Sequence, residues 1–298
     1  MSFASFLRCP LCGGVLTREG RSLFCDGHTG RRHCYDVAKE GYVNLLPPGK
    51  KNNAHTGDDA AMIAARTAFL SGGYYDCISD AAADACLPYL PENGAPLTFM
   101  DAGSGEGYHT CRIAARLAQK SGREVEGCGA DASKKGAAAG AKRAKTSAAS
   151  LSFITGNIFA LPAEDRSLDV LFSLFAPIPA AEAVRTLKDD GVLVVVASAP
   201  RHLWEMRCLL YDDPREGNAE AAVPEGFALL AKHEVRTRVT IPDQPTLDAL
   251  FTMTPFYYRT PAEGRARLAQ AGALEISVEA DVYVFRKMQG SAGKEVLR

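Results

Sequence analysis

Residues 101–107, Asp101-Ala102-Gly103-Ser104-Gly105-Glu106-Gly107, decide the fold of this chain. They follow an apolar segment at 97–100 that is typical of a short buried strand, and they precede a segment at 108–119 that is typical of a helix. Glycines at such a point allow a tight turn and let a ligand approach the backbone closely. The stretch therefore predicts the strand–loop–helix unit of a cofactor-binding α/β domain.

Strand and helix signals alternate on both sides of this loop. Strands are predicted over 125–130, 152–155, 169–174 and 192–197, with helices over 133–145 and 180–187 between them. Helices over 58–68 and 76–87 precede the loop, and a break rich in proline, glycine and polar residues at 47–53 precedes those helices. The tail, 227–286, mixes strands (235–241, 278–285) with helices (246–250, 262–270). The βαβ alternation predicts a mostly parallel sheet that is covered on both faces.

The spacing of the glycines favours one cofactor over another. Gly103-x-Gly105-x-Gly107 does not match the dinucleotide fingerprint, because the third glycine comes one residue early. This shorter spacing is typical of methyltransferases that use S-adenosylmethionine (SAM), a cofactor without a pyrophosphate. An ordinary strand–helix turn is the alternative for the loop taken alone.

Three polar residues near predicted strand ends favour a SAM site over that alternative. Asp131 ends the next strand, where a carboxylate can accept hydrogen bonds from both ribose hydroxyls. Asp101 is placed to orient the ammonium group of the cofactor, and Asn157 is placed to meet the adenine edge. With Asp131 in register, cofactor binding is the preferred interpretation.

Bulk composition narrows the class of protein. The chain has 298 residues, 47% hydrophobic and 23% charged, with a formal net charge of −1. Such a balance is ordinary for a globular protein and gives no global signal for nucleic-acid binding, so any such contact must come from local patches. No apolar stretch approaches the roughly 20 residues that cross a bilayer, and no signal peptide is predicted. Nine cysteines without that signal favour reduced thiols in the cytoplasm, some of them on a metal.

A cluster of cysteine and histidine residues near the front of the chain predicts a zinc site. Cys9-x2-Cys12 is followed by Cys25, and then by three further candidates, His28, His33 and Cys34. Zinc prefers four thiolate or imidazole ligands in a tetrahedron, and a segment this small usually needs a metal or another cross-link to fold. The fourth ligand stays open among those three candidates. Unrelated cysteines, or a redox pair, are the weaker alternatives.

Motifs spread along nearly the whole chain carry a resemblance to a known family. The run at 36–46, Asp36-Val37-Ala38-Lys39-Glu40-Gly41-Tyr42-Val43-Asn44-Leu45-Leu46, and the segment Met253-Thr254-Pro255-Phe256 are the most specific. Gly57-Asp58, Arg66-x2-Phe69-Leu70, the glycine loop with Tyr108, and Pro200-Arg201-His202-Leu203 accompany them. The chain in this respect resembles the bacterial 23S ribosomal RNA guanine-N1-methyltransferases of the RlmA type.

The resemblance implies a fold, an activity and an assembly. The expected fold class is α/β: a Rossmann-like SAM-dependent methyltransferase domain with a mostly parallel seven-stranded sheet and a small N-terminal zinc-binding domain. The expected division is 1–46 for zinc and RNA recognition, 47–90 for a helical linker and 91–298 for methyl transfer. The expected reaction is methylation of N1 of a guanosine in a 23S rRNA hairpin. Members of the family are homodimers whose zinc domains help to form an RNA-binding groove.

Site residues follow by position from the same resemblance. Cys9, Cys12, Cys25 and His33 match the zinc ligands, although this chain has extra residues between Cys25 and His33. Tyr75, Gly105, Glu106 and His202 match positions used around the cofactor. Together with Asp101, Gly103, Gly107, Asp131 and Asn157, the latter four form the predicted cofactor set.

The loop after the fourth predicted strand, Leu174-Phe175-Ala176-Pro177, lies where related enzymes hold the target base. It lacks the Asn-Pro-Pro-Tyr signature of exocyclic-amine methyltransferases, which fits a ring-nitrogen target. Phe175 is predicted to stack on a flipped guanine, with a core phenylalanine as the alternative. Phe175, Pro177 and His202 form the predicted catalytic set. His202 is either a hydrogen-bonding partner of the cofactor, a proton acceptor or a structural histidine.

Basic residues supply candidate phosphate contacts. These are Arg31-Arg32, Lys50-Lys51 and Lys142-Arg143-Lys145, each of which is alternatively a solvated face. Two further functions compete with rRNA methylation. One is a SAM methyltransferase acting on another RNA or a small molecule, and the other is a non-catalytic RNA-binding protein that retains the SAM fold.

Overall fold

The computed structural model of the protein describes residues 3–27, 30–47, 59–217 and 221–288. The strands are β1 (Leu16–Glu19), β2 (Ser22–Cys25), β3 (Cys34–Asp36), β4 (Val43–Asn44), β5 (Leu97–Ala102), β6 (Val125–Asp131), β7 (Ser150–Thr155), β8 (Leu168–Leu174), β9 (Leu187–Ser198), β10 (Phe227–Ile241) and β11 (Leu274–Lys287). The helices are α1 (Ala60–Leu70), α2 (Asp76–Cys86), α3 (Tyr108–Ser121), α4 (Lys134–Ala144), α5 (Ala180–Thr186), α6 (Trp204–Leu210), α7 (Gln244–Thr252), α8 (Phe256–Arg259) and α9 (Ala262–Leu268).

The main sheet confirms the predicted α/β class. Its strand order, within the described residues, is β10-β11-β9-β8-β5-β6-β7-β4. Pairing is parallel from β4 through β9, whereas β11 pairs antiparallel with both β9 and β10. The sheet is thus mostly parallel, with an antiparallel hairpin at one edge.

The sheet has one strand more than the expected seven. The additional strand is β4, which pairs parallel with the end of β7 through Val43 and Asn44. Two residues are too few to show any hydrophobic periodicity, so the sequence pattern could not reveal this strand. β4 belongs to the segment that precedes residue 46, and it ties that segment to the main sheet.

Burial explains why the central segments become strands. Every residue of β8 is buried, and the apolar run 192–196 in β9 is buried as well. Continuous apolar runs of this length are typical of parallel strands that are covered on both faces. β10 and β11 extend well beyond their predicted bounds, because they pair with each other from Phe227 to Ile241.

The N-terminal module covers one face of this sheet. Its strands β1, β2 and β3 form a small sheet of their own. Phe6, Leu7 and Leu23 are buried in the same apolar cluster as residues of β5, β8 and β9. The backbone N–H of Ala4 donates to Ser152 Oγ at 2.9 Å, and that of Arg8 donates to the Pro162 carbonyl at 2.9 Å. The few apolar residues of the module therefore share the core of the main sheet. None of the helices in the described ranges is long and apolar enough to cross a membrane.

Candidate functional site

The glycine loop connects β5 to α3 through three residues with left-handed backbone conformations. Gly103, Gly105 and Gly107 all have positive φ angles, of 93°, 53° and 82°. A Cβ atom on Gly107 would lie 2.6 Å from Gly140 Cα, and one on Gly103 would lie 2.6 Å from Ala176 Cβ. Glycine is therefore required at these positions for both the backbone conformation and the close approach of α4 and the 175–178 loop.

Two carboxylates flank the loop. The Gly105 N–H donates to Asp131 Oδ2 at 2.9 Å, and the Ser133 N–H donates to Asp131 Oδ1 at 2.7 Å. Asp101 is 1% exposed, and its Oδ2 accepts a hydrogen bond from Thr110 Oγ1 at 2.5 Å. Burial, helped by the nearby charge of Asp131, raises the pKa of Asp101 to about 7.

These polar groups fit a cationic, hydroxyl-rich cofactor such as SAM. Asp101 Oδ1 is buried and has no hydrogen-bond partner among the described residues. A buried carboxylate oxygen without a partner is costly, and an ammonium group from a ligand would relieve that cost. Asp131 holds the loop from the opposite side, at the end of the neighbouring strand β6.

Two other members of the predicted cofactor set have intramolecular partners. Glu106 is 2% exposed, and its carboxylate accepts hydrogen bonds from the Arg143 guanidinium at 2.7 Å and from the Tyr108 N–H at 3.2 Å. Burial raises its pKa, although the charge of Arg143 opposes that shift. Asn157 follows β7, and its Oδ1 accepts from the Phe159 N–H at 3.0 Å. The Glu106 side chain therefore anchors α4 to the glycine loop.

A cavity of about 1050 Å³ opens beside the loop. Tyr75, Phe175 and His202 line this cavity, together with residues of α1, the end of β9, α6 and the segment 253–258. Of the predicted catalytic set, Phe175 and His202 line this cavity. Pro177 is exposed, and its carbonyl accepts a hydrogen bond from Ser173 Oγ at 3.3 Å.

Phe175 lies at the junction between the glycine loop and the cavity. Its φ angle is 52°, a conformation that non-glycine residues adopt rarely and that tends to occur at functional sites. Its side chain is 38% exposed, which excludes the alternative of a core phenylalanine. The ring lies near the rings of Tyr75, His109 and His202, with centroids 6.0–6.4 Å apart.

Tyr75 and His202 form a buried hydrogen-bonded pair. The Tyr75 hydroxyl lies 3.0 Å from His202 Nε2, and the Glu279 backbone N–H donates to His202 Nδ1 at 3.1 Å. Burial and the positive charge of Arg207 lower the pKa of His202 to about 4, so the ring is neutral at pH 7. Burial also raises the pKa of Tyr75, which keeps its proton.

Sequence patterns missed three residues of this region. Arg66 and Arg207 line the cavity, and His109 lies against Phe175 with its Nδ1 2.8 Å from Ser79 Oγ. Burial lowers the pKa of His109 to about 3. Arg66 belongs to one of the motifs that carry the family resemblance, and that motif is the sequence signal that could have identified it as a site residue. No spacing pattern distinguishes Arg207 or His109 from ordinary helix residues.

Four of the predicted metal ligands lie together in the N-terminal module. The ligand atoms of Cys9, Cys12, Cys25 and His33 are all within 4.8 Å of one another. His33 Nδ1 is 3.5 Å from Cys9 Sγ and 3.4 Å from Cys25 Sγ, and Cys12 Sγ is 3.7 Å from Cys25 Sγ. A zinc tetrahedron with Zn–S bonds of about 2.3 Å has edges of about 3.8 Å, so this donor set fits the metal.

The cluster shifts its thiol pKa values in opposite directions. Although the Gly14 backbone opposes the shift, burial and the hydrogen bonds with Cys9 and Cys25 raise the pKa of Cys12 to about 11. Although burial opposes ionisation, the backbone N–H groups of His33 and Gly27 lower the pKa of Cys25 to about 7. The Tyr35 hydroxyl lies 3.0 Å from Cys9 Sγ. Of the other candidates for the fourth ligand, Cys34 is exposed and outside the cluster, and His28 lies outside the described residues.

The predicted phosphate contacts are distributed unevenly. Arg31 and Arg32 are exposed beside the metal cluster, with the Arg32 guanidinium paired with Glu19 and 4.6 Å from the centre of the Phe24 ring. Lys142 and Lys145 are exposed on α4 and just after it, but Arg143 between them is paired with Glu106. Lys50 and Lys51 lie outside the described residues.

Comparisons with known proteins agree with both parts of the site. The family described as "RlmA, N-terminal", a zinc ribbon, matches residues 7–54, and the family described as "Methyltransferase domain" matches residues 99–191. YxjB of Bacillus subtilis (strain 168), named for 23S rRNA (guanine-N(1)-)-methyltransferase activity, is 33% identical over 95% of this chain and 98% of its own length. The 23S rRNA (guanine(748)-N(1))-methyltransferase of Streptomyces fradiae is 29% identical over 95% of this chain and 97% of its own length. Among solved structures, the YcgJ protein of Bacillus subtilis matches with a TM-score of 0.45 and 16% identity, covering 70% of this chain and 99% of that one.

Proposed function

Since this chain belongs to the family of 23S rRNA (guanine-N1)-methyltransferases, we propose that it transfers a methyl group from SAM to N1 of a guanosine in a 23S rRNA hairpin. The observation that carries the proposal is the match, at 33% identity, to a relative of that name over 95% of this chain and 98% of the relative. The cofactors of the protein are SAM and zinc.

SAM binds at the glycine loop in this proposal. Asp101 Oδ1 meets the ammonium group, and Asp131 at the end of β6 meets the ribose hydroxyls. Tyr75, His202 and the backbone of Gly103–Gly107 surround the rest of the cofactor, and Asn157 borders the adenine. Glu106 contributes through its backbone and through the ion pair with Arg143, which supports the loop.

The cavity holds the target guanosine. Flipping the base out of the RNA stack costs about a few kcal/mol, and stacking on the exposed Phe175 ring offsets part of that cost. When bound, SAM supplies the methyl group as an electrophile. The 174–177 loop places N1 of guanine in line with the methyl group and excludes water from that side. Overall, N1 gains a methyl group and releases its proton, and the products are N1-methylguanosine and S-adenosylhomocysteine.

The N-terminal module recognises RNA. Cys9, Cys12, Cys25 and His33 hold zinc, and the metal in turn fixes the loop that bears Arg31 and Arg32. We place the domain boundaries at 46 and 90, with the methyltransferase domain at 91–298. Two copies of the chain form a homodimer whose zinc modules face one RNA groove, and the rRNA substrate places the enzyme in the cytoplasm.

One experiment tests the proposed function. The protein is incubated with tritiated SAM and 23S rRNA that lacks this modification, and the label is mapped by nuclease digestion and mass spectrometry. N1-methylguanosine at a single hairpin position is the expected result. Label on another RNA or on a small molecule would favour the first alternative. SAM binding without any transfer would favour an RNA-binding protein that retains the fold.

A further inference from the structure

His202 is fixed at both ring nitrogens by the fold. His202 lies in the turn between β9 and α6, where its backbone N–H donates to the Ala199 carbonyl at 3.0 Å. Glu279 on β11 binds this turn twice, because its carbonyl accepts from the Ala199 N–H and its N–H donates to His202 Nδ1 at 3.1 Å. The imidazole is 7% exposed and cannot rotate without losing that bond.

These contacts decide where the imidazole proton lies. A backbone N–H can only donate, so Nδ1 must be the unprotonated acceptor nitrogen. In a neutral ring the proton is then on Nε2, which lies 3.0 Å from the Tyr75 hydroxyl oxygen. His202 is therefore the donor in that bond, and Tyr75 is the acceptor.

The consequence passes to Tyr75. A hydroxyl that accepts a hydrogen bond from an imidazole directs its own proton to a different acceptor. Tyr75 lines the cavity and lies against Phe175, whose ring centroid is 6.4 Å away. Its proton is thereby available to an oxygen of whatever is bound there.

The surrounding charges keep this arrangement unchanged over a wide pH range. Arg207 on α6 is the cation that opposes protonation of the ring, and Tyr75 on the α2 side is neutral. The Glu279 carboxylate on β11 is directed towards Arg236, with a separation of 3.8 Å. Protonation of His202 at Nδ1 would also break the bond from the Glu279 N–H.

We infer that His202 is a positioning residue that makes the Tyr75 hydroxyl a hydrogen-bond donor into the cavity, and that it does not accept the guanine N1 proton. This inference rests on the proposed function, since it assigns a role within the same reaction. It removes one of the roles that the sequence left open for His202. It also predicts that a neutral amide able to donate to Tyr75 can replace the imidazole.

Two amide variants separate the roles. The nitrogen of Gln in H202Q occupies nearly the position of Nε2 and can donate to Tyr75, whereas the oxygen of Asn in H202N occupies nearly the position of Nδ1 and can accept only from Glu279. We expect H202N to lower the single-turnover methylation rate about tenfold, as for the loss of one buried hydrogen bond, and H202Q to recover most of that loss. Y75F should lower the rate as H202N does, and Y75F/H202N should be no slower than Y75F. H233Q, on the exposed edge strand β10, is the control.

A proton acceptor would behave differently. Both amides would then be equally slow, although SAM affinity measured by calorimetry would be intact, and that result would overturn the inference. A second readout does not depend on activity. Nitrogen-15 NMR of the wild-type protein should show His202 protonated at Nε2 and not titrating between pH 5.5 and 8. A proton on Nδ1, or a titration in that range, would also overturn it. If wild-type protein does not methylate 23S rRNA, the proposed function fails while the NMR result still decides the tautomer.

Discussion

Asp101, the proposed partner of the ammonium group of SAM, is a buried carboxyl group that destabilises the ligand-free protein when it ionises. Its Oδ1 is buried without a partner among the described residues, and burial holds its pKa at about 7 instead of 3.8. A raised pKa means that the folded protein binds this proton more tightly than the unfolded chain does. The free energy of unfolding of the ligand-free protein therefore falls as pH rises from 3.8 to about 7, and the loss is complete above that pH.

Replacing Asp101 by Asn should separate stability from binding. Asn cannot ionise, so D101N should raise the free energy of unfolding above pH 7 relative to wild type, by up to about 4 kcal/mol for a shift of about three pKa units. The same change should weaken SAM, because the ammonium group loses its anionic partner. Urea unfolding at pH 5 and pH 8, with calorimetry of SAM binding, measures both effects. The exposed Asp213→Asn is the control. Equal SAM affinity in D101N and wild type would contradict the assignment.

At the scale of elements, the contact between α3 and α4 depends on Gly107. This residue precedes α3 with a φ of 82°, and Gly140 of α4 and the Phe153 ring of β7 fill the space where its Cβ would lie. Gly122 closes the same helix with a φ of 67°, yet nothing lies within 4 Å of its Cβ position. The two glycines therefore share the backbone requirement but differ in packing.

Alanine at each position isolates the packing contribution. G122A should cost about 1–2 kcal/mol, the strain of a left-handed conformation alone. G107A should cost clearly more, because α4 and β7 must also move, and SAM affinity should fall with it. Chemical denaturation of both variants gives the comparison. Similar losses for the two would show that α4 adapts freely and that the loop does not depend on close packing.

Most elements of the α/β domain could be predicted because their signals are local. The buried runs of β8 and β9 consist of consecutive apolar residues, and the observed bounds of the predicted helices lie within two residues of the predicted ones. β4 and the full length of β10 depend on partners far away in the chain, so no local pattern reveals them. α6 was missed because it follows Leu203, a non-glycine residue with a φ of 58° that gives no recognisable start signal.

The site divides in the same way. Spacing in the sequence predicts both the glycine loop and the cluster of Cys9, Cys12 and Cys25. The structure brings the residues of each set together. The binding roles of these residues stay predictions. The bond between His202 and Glu279 joins a turn to a strand 77 residues away, so the tautomer of the ring could not be read from the sequence.

At the scale of the whole molecule, the zinc module and the main sheet share one apolar core. Loss of the metal should therefore destabilise more than the module. We expect wild-type protein to contain zinc in equimolar amount, and C12S to lose it and to unfold at a lower temperature in a single transition. C208S replaces an exposed cysteine of α6 and is the matched control. Two separate transitions in C12S, with the upper one unchanged, would mean that the sheet is stable without the module.

RNA affinity should depend on the exposed arginines beside the metal. Each phosphate contact that is removed should reduce the slope of log K against log salt by about 0.9, so R31A/R32A should bind RNA more weakly and with a flatter slope. SAM affinity should stay at the wild-type value. Filter binding over a range of salt concentrations gives the slope, and R215A, an exposed arginine outside the module, is the control. An unchanged slope would place the RNA surface elsewhere, with Lys142 and Lys145 as the next candidates.

The shared core also sets an order of events during synthesis. The apolar side chains of the N-terminal module leave the ribosome before their partners. Those partners, around Ser152, Pro162 and Ala163, follow about 150 residues later. At a synthesis rate of about 5–20 residues per second, roughly 8–30 s pass before the main sheet can pack against the N-terminal module. During that interval only the bound metal and the pairing of β1, β2 and β3 can hold the module together. The zinc supply of the cell at the time of translation would then govern how many nascent chains reach the native state.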